Sequence, residues 1–357
     1  MAKQHQERGR AVLKFSPYTY VRTVAMRGLL FSKEDYLRMM KMCYAEIAHY
    51  LQESSYKEDI TSLAMELHDA DLIEAALSMN LGSTYRKLLH ISPHGLRNII
   101  RAYAKRWDIQ DIKAILRGKF TGSHEKEMKR ALSYAGALGQ EHMHELMKQH
   151  SIEDVLKHNV VVPFTMFQDA LASFSNHHTM DVIEDVFDYY YYKEIIGVAA
   201  MYKASSPFLF SFIIHEIETI NIIRILRAKQ GNLSTDLTEK LIIITHHPAS
   251  DHLMHRLAAM PDLDNILSTL GKERYQEVVA GFNALPSTEQ HMMDLENAFR
   301  RYLHRTSSHM MHHKLLSVNT ILHFMLAKET EIRNLRLLIK GKQLHLGDEF
   351  ILHHMVM

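Results

Sequence analysis

Apolar residues recur at helical spacing along nearly the whole chain, and the strict alternation that marks a strand is scarce. Ser32-Lys-Glu-Asp35 has the spacing of a capping box, with Asp at the third helical position. The helix it opens is predicted over Tyr36 to Leu51, where Tyr36, Met40, Cys43, Ile47 and Tyr50 share one stripe to be buried. Ser92-Pro93 and Ser206-Pro207 each read as an N-cap followed by a first helical residue. Gly122 and Gly231 stand where C-caps belong. Only 14 Gly and 7 Pro punctuate the chain, so helices joined by short turns account for it economically and the predicted fold class is all-α. The most apolar stretch, Pro207 to Lys229, could span a bilayer by length, but His215, Glu216, Glu218, Asn221 and Arg224 lie along it. It reads as a buried helix of a water-soluble protein.

A repeat runs through these helices. Asp111-Ile-Lys-Ala-Ile-Leu-Arg-Gly-Lys-Phe120, Asn221-Ile-Ile-Arg-Ile-Leu-Arg-Ala-Lys-Gln230 and Asn334-Leu-Arg-Leu-Leu-Ile-Lys-Gly-Lys-Gln343 superimpose without gaps. An acid precedes each by three residues: Asp108, Glu218 and Glu331. The intervals from 111 to 221 and from 221 to 334 are 110 and 113 residues, and Ser151-Ile-Glu-Asp-Val-Leu156 matches Asp262-Leu-Asp-Asn-Ile-Leu267 at 111. Met26-Arg27-Gly28 is a weaker copy near the N-terminus. The predicted organisation is a diverged first helical unit over 1–94, a second over 95–204, a third over 205–327, and a last motif helix, from about Lys328, within 328–357 that closes onto the first. Within the motif, apolar residues leave no wholly polar face, so Asp108, Asp111, Glu218, Asn221, Glu331 and Asn334 are expected to be buried and hydrogen-bonded as a structural clamp. A buried polar group without a partner costs roughly 1–3 kcal/mol.

Composition narrows the function. At 357 residues the chain exceeds the size of one ordinary core. Lys plus Arg at 42 nearly balances Asp plus Glu at 41, so no overall field draws in nucleic acid or anionic lipid. A single cysteine, Cys43, excludes an internal disulfide framework and reads as a small buried hydrophobe in a reducing compartment. Lys3, Arg8 and Arg10 are not followed by the apolar core of a secretory signal, so the protein is expected to stay inside the cell.

Catalytic chemistry finds no footing. Neither a Walker spacing nor a Gly-x-Gly-x-x-Gly turn occurs, and Cys43 lacks a nucleophile elbow. The 26 histidines include pairs such as His177-His178 and His353-His354, but chelation on a helix needs spacing i, i+3 or i, i+4. His252 with His255, and His309 with His312 or His313, meet that test; the latter set is the better of two weak metal candidates, without a His-Glu-x-x-His pattern or nearby acids. No cofactor is expected. The 22 Met residues read as core or a soft groove, and in the run Tyr189 to Tyr192 four rings face all round a helix, so some must reach a surface or an interface.

Tyr20-Val-Arg-Thr-Val-Ala-Met-Arg-Gly-Leu-Leu30, Glu216 to Lys229 and Glu329-x-Glu331-x-x-Asn334-Leu-Arg336 together resemble the C-type subunits of the archaeal and bacterial A/V-type rotary ATPases, whose eukaryotic relatives are the d-type subunits of the V-ATPase. The similarity runs from about Tyr18 to Leu346. The resemblance implies three pseudo-repeated helical units closed into a funnel. It implies a non-catalytic rotor subunit on the cytoplasmic face of a membrane, peripheral to it, between the central-stalk subunits and the membrane proteolipid ring. Arg27, Arg117, Lys119, Arg227, Lys229, Lys340 and Lys342 stand at matching positions as candidates for that interface, or else complement helix dipoles. The competing reading is a helical-repeat scaffold for soluble partners, although such solenoids use units of about 34 to 47 residues.

Overall fold

The computed structural model describes residues 13, 16–177, 179–285, 291–313 and 318–356. Among these every regular element is helical, in agreement with the all-α reading. The first part runs α1 (Pro17–Arg27), α2 (Lys33–Met40), α3 (Tyr44–Gln52), α4 (Lys57–Leu63) and α5 (Asp69–Ile91). Then come α6 (His94–Thr121), α7 (Glu125–Ala131), α8 (Gln140–Lys148), α9 (Ile152–His158), a 3-10 turn (Phe164–Phe167), α10 (Gln168–His177) and α11 (Asp181–Met201). The chain continues with α12 (Pro207–Gln230), α13 (Thr235–Lys240), α14 (Pro248–Ala258), α15 (Leu263–Leu270), α16 (Gln276–Asn283) and α17 (Met292–His313), and ends with α18 (Val318–Gln343) and α19 (Asp348–His354).

Six long helices organise the rest. α5 packs on α6, α6 on α11, α11 on α12, α12 on α17, α17 on α18, and α18 back on α5, so they form a closed circuit. The helices carrying the recurring motif are α6, α12 and α18, and each is buried on most of its surface. Each is followed by one short helix, α7, α13 or α19, that folds back against it. The turn between them is the same three times: Ser123, Leu233 and Leu346 donate their N–H to the carbonyls of Gly118, Ala228 and Gly341 at 2.8, 2.9 and 2.9 Å. The residue before each donor is left-handed, with φ of 70° at Gly122, 55° at Asn232 and 54° at His345. Gly231 therefore sits one residue before the left-handed position, which Asn232 takes by virtue of its short polar side chain.

Three other boundaries differ from expectation. The helix predicted over Tyr36 to Leu51 is two helices, because the chain turns at Lys41 to Cys43 and Glu46 accepts the Cys43 N–H at 2.8 Å, capping α3. Cys43 is exposed as a consequence and is not a core residue. The last motif helix begins at Val318, ten residues before Lys328, and α6 begins at His94, with Ser92 closing α5. Ser32 and Asp35 do form the capping box, and Pro207 opens α12 after Ser206. The main apolar core involves residues from α2 to α12 together with α18 and α19; a second, smaller one lies between the later half of α12 and α14 to α17. No helix among the described residues is long and apolar enough to cross a membrane.

Candidate functional site at the meeting of the motif helices

α6, α12 and α18 converge on three charged side chains at matching positions, each two residues before the recurring acid. Arg106 of α6 reaches Glu216 of α12 at 2.7 Å and Glu329 of α18 at 3.3 Å. Its guanidinium lies 3.7 Å from the centre of the Tyr103 ring and donates to the Tyr191 hydroxyl from Nε (3.1 Å) and Nη2 (2.9 Å). Glu329 also accepts from the Tyr85 hydroxyl at 2.5 Å and from Trp107 Nε1 at 3.3 Å. Burial works against the Arg106 cation, yet Glu216 and the surrounding groups hold it well above its ordinary range. Burial also raises the Glu329 carboxyl, against the pull of Arg106 and the Tyr85 hydrogen bond. One cation thus joins the three long helices through two acids, in surroundings where breaking a pair leaves a buried charge alone.

The amide position makes one recurring contact, 22 residues downstream. Asn221 Nδ2 donates to the Ile243 carbonyl at 2.8 Å and its Oδ1 accepts the Ile243 N–H at 2.9 Å. Asn334 does the same with Val356, at 2.7 and 3.0 Å. Asp111 has no donor, and here it meets only donors: the backbone N–H groups of Ser133 at 2.7 Å and Tyr134 at 2.8 Å, and the Ser133 hydroxyl at 3.0 Å. In each case the side chain fixes the segment that ends the short helix.

The acid position ties the motif helix to more distant parts. Asp108 accepts the Ala137 and Leu138 N–H groups, both at 2.9 Å. Glu331 accepts the Phe31 N–H at 2.7 Å and the Tyr56 hydroxyl at 2.6 Å, and pairs with Lys328 at 2.8 Å. Glu218 accepts from the Tyr275 hydroxyl at 2.9 Å. Tyr56 and Tyr275 both stand immediately before a short helix, α4 and α16, so the last motif helix holds the N-terminal helices through the contact that α12 makes with its own successors.

Several of the cations considered for an interface have partners within the chain. Arg117 binds Glu184 through two bonds of 2.6 and 3.1 Å, Arg227 binds Glu296 at 2.5 and 2.8 Å, and Lys340 pairs with Glu74 at 2.9 Å. Lys119 and Lys342 donate to the Met147 and Met40 carbonyls at 2.5 and 2.6 Å. Arg27 and Lys229 are half-buried. Of the histidines, His252, His255 and His309 are exposed, and the side chains of His177, His178, His312 and His313 lie outside the described residues. Among the described residues no three His, Cys, Asp or Glu side chains are grouped to hold a metal. In the tyrosine run Tyr191 is buried under Arg106, Tyr190 and Tyr192 are half-buried and Tyr189 is exposed.

Sequence reasoning missed Arg106, because a cation replaces an acid there. The signal was a charged residue in register two positions before each motif acid.

The sequence matches the family described as ATP synthase (C/AC39) subunit over residues 20–354. The C-type subunit of the A-type ATP synthase of Methanosarcina barkeri is 30% identical over 342 residues, covering 95% of this chain and 92% of that protein. Its counterpart in Archaeoglobus fulgidus is 28% identical over 339 residues, covering 95% of each. That of Methanocaldococcus jannaschii is 24% identical over 344 residues, covering 95% of this chain and 86% of that protein. With matches that run through both the motif helices and the segments between them, the chain belongs to the ATP synthase (C/AC39) subunit family.

Proposed function

We propose that the chain is a non-catalytic central-rotor subunit of an A/V-type ion-translocating ATPase or ATP synthase. In this reading it is a peripheral subunit on the cytoplasmic face of the membrane, joining the central stalk to the membrane proteolipid ring. Its three helical units, the first completed by α18 and α19, would form the walls of a funnel. The observation that carries the reading is the end-to-end similarity to the C-type subunits of A-type ATP synthases, at 30% identity over 95% of this chain. The closed circuit of six long helices agrees with it, since a part that transmits torque loses less work to bending when every long helix has two long neighbours and polar clamps at fixed places.

The test is purification of the tagged chain from its native membranes in mild detergent. The stalk subunits and the proteolipid ring should co-purify in fixed stoichiometry. Recovery of assorted soluble proteins without membrane subunits would favour a helical-repeat scaffold instead.

A further inference from the structure

Three helices fill the seams between the motif helices: α5 between α18 and α6, α11 between α6 and α12, and α17 between α12 and α18. Each carries a glutamate that takes the cation six residues after the motif's Asp or Asn. These pairs are Glu74 with Lys340, Glu184 with Arg117 and Glu296 with Arg227. Four residues further on, one helical turn later, the three seams differ. Ser78 accepts from Arg336 at 2.8 Å. Asp188 accepts from Lys113 and, at 2.6 Å, from Arg224. The third position is Arg300, and the α12 residue that matches Arg336 and Lys113 is Ile223.

The second seam balances its charges, since Glu184, Asp185 and Asp188 face Lys113, Arg117 and Arg224. The third does not. Glu296 has both oxygens held by Arg227, at 2.5 and 2.8 Å. Asp294, the acid that acts on Arg301, is held by His353 at 2.8 Å. Arg333 of α18 spends one N–H on Asn297 Oδ1 at 2.6 Å. Arg300 is exposed and makes no hydrogen bond or ion pair with a described residue. Burial lowers Arg333 from 12.5 to about 10, and the Arg300 cation adds to the fall while Glu296 opposes it. Arg300 and Arg333 are therefore close enough to repel each other, and among the described residues neither has an acid of its own.

We propose that the seam between α12, α17 and α18 binds a phosphate ion, free or as the phosphoryl end of an ester, between Arg300 and Arg333. Arg301, one residue along α17, adds to the positive field. Guanidinium groups suit an oxyanion because their N–H donors lie in a fixed fork that can hold two oxygens at once. Arg333 keeps four of its five N–H donors for that purpose and Arg300 keeps all of its own. A doubly charged ion balances both cations, and so does for the third seam what the Asp188 carboxylate does for the second. The exposure of Arg300 leaves the way in open from solvent. The inference stands apart from the rotor-subunit reading.

The experiment is calorimetric titration of the full chain with inorganic phosphate, at an ionic strength held constant with chloride. Saturable binding of one ion per chain is expected. Arg300→Ser, which copies the first seam, should weaken it about tenfold or more. Arg256→Ser, which removes an exposed arginine paired with Glu273 outside the seam, should leave it unchanged. Arg300→Asp, which copies the second seam, should abolish binding and raise the thermal midpoint in phosphate-free buffer, because the new carboxylate meets Arg333. ATP in place of phosphate separates the sources: tighter binding assigns the site to a phosphate ester, weaker binding to the free ion. Heat that never saturates, binding that survives Arg300→Ser or falls equally with Arg256→Ser, or a midpoint lowered by Arg300→Asp would overturn the proposal.

Discussion

At the scale of single residues, the choice between Asp and Asn at the clamp follows the backbone it faces. Asp111 meets three donors, whereas Asn221 meets one donor and one acceptor on Ile243. Asn221→Asp would set a carboxylate against the Ile243 carbonyl and leave that oxygen unpaired. It should cost about 1–3 kcal/mol or more, read as a lower urea midpoint with unchanged slope. Asp111→Asn should also destabilise, and the loss should depend on pH. Burial pushes the Asp111 carboxyl from 3.8 up to about 6, helped by Asp108 and opposed by Ser133 and Tyr134. The folded chain thus holds this proton more tightly than the unfolded chain. The stability it confers is complete below pH about 4 and is lost as the pH rises through about 6. The advantage of wild type over Asp111→Asn should shrink between those limits by up to about 2–3 kcal/mol. A difference that stays flat with pH would show that burial leaves this carboxyl unperturbed.

At the scale of elements, the long helices were legible because a nearly all-round apolar pattern over more than twenty residues has few other solutions. The breaks were less so. The stripe from Tyr36 to Tyr50 keeps its period across the turn at Lys41 to Cys43, and only Glu46, three residues after Cys43, hints that a new helix starts there. The loops that receive the clamps were not legible at all, since a backbone N–H leaves no mark in a sequence. Gly136, between α7 and α8, illustrates this. A Cβ there would lie 1.9 Å from Asp108 Oδ1 and 2.7 Å from the Asp108 backbone nitrogen, so any side chain displaces the carboxylate from the Ala137 and Leu138 N–H groups. Gly136→Ala should therefore cost on the order of 3 kcal/mol, well above an ordinary loop substitution. A thermal melt that leaves the variant within about 0.5 kcal/mol of wild type would show that the loop yields instead.

At the scale of the whole molecule, the 110-residue period exposed the three related helices, but their meeting at Arg106 was hidden because the three positions differ in charge. The period also suggested that α18 belongs with the N-terminal helices, and the contacts give that idea a sharp test. Phe31, Tyr56 and Lys328 all depend on one carboxylate, Glu331, which is 3% exposed. Glu331→Ala leaves Lys328 as a buried cation without its acid and two donors without an acceptor, a class of change that costs about 3–5 kcal/mol. The damage should not stay in α18. Hydrogen exchange should quicken in α1 to α4, some 300 residues away in sequence, while α12 to α16, which make their own clamp through Glu218 and Tyr275, keep their protection. A chain ending after Lys328 should show the same polarity more strongly, because Glu329, Glu331 and Asn334 are all removed. If exchange in either variant changes only near α18 and α19, the N-terminal helices hold themselves together, and the circuit of long helices is a contact rather than a closure.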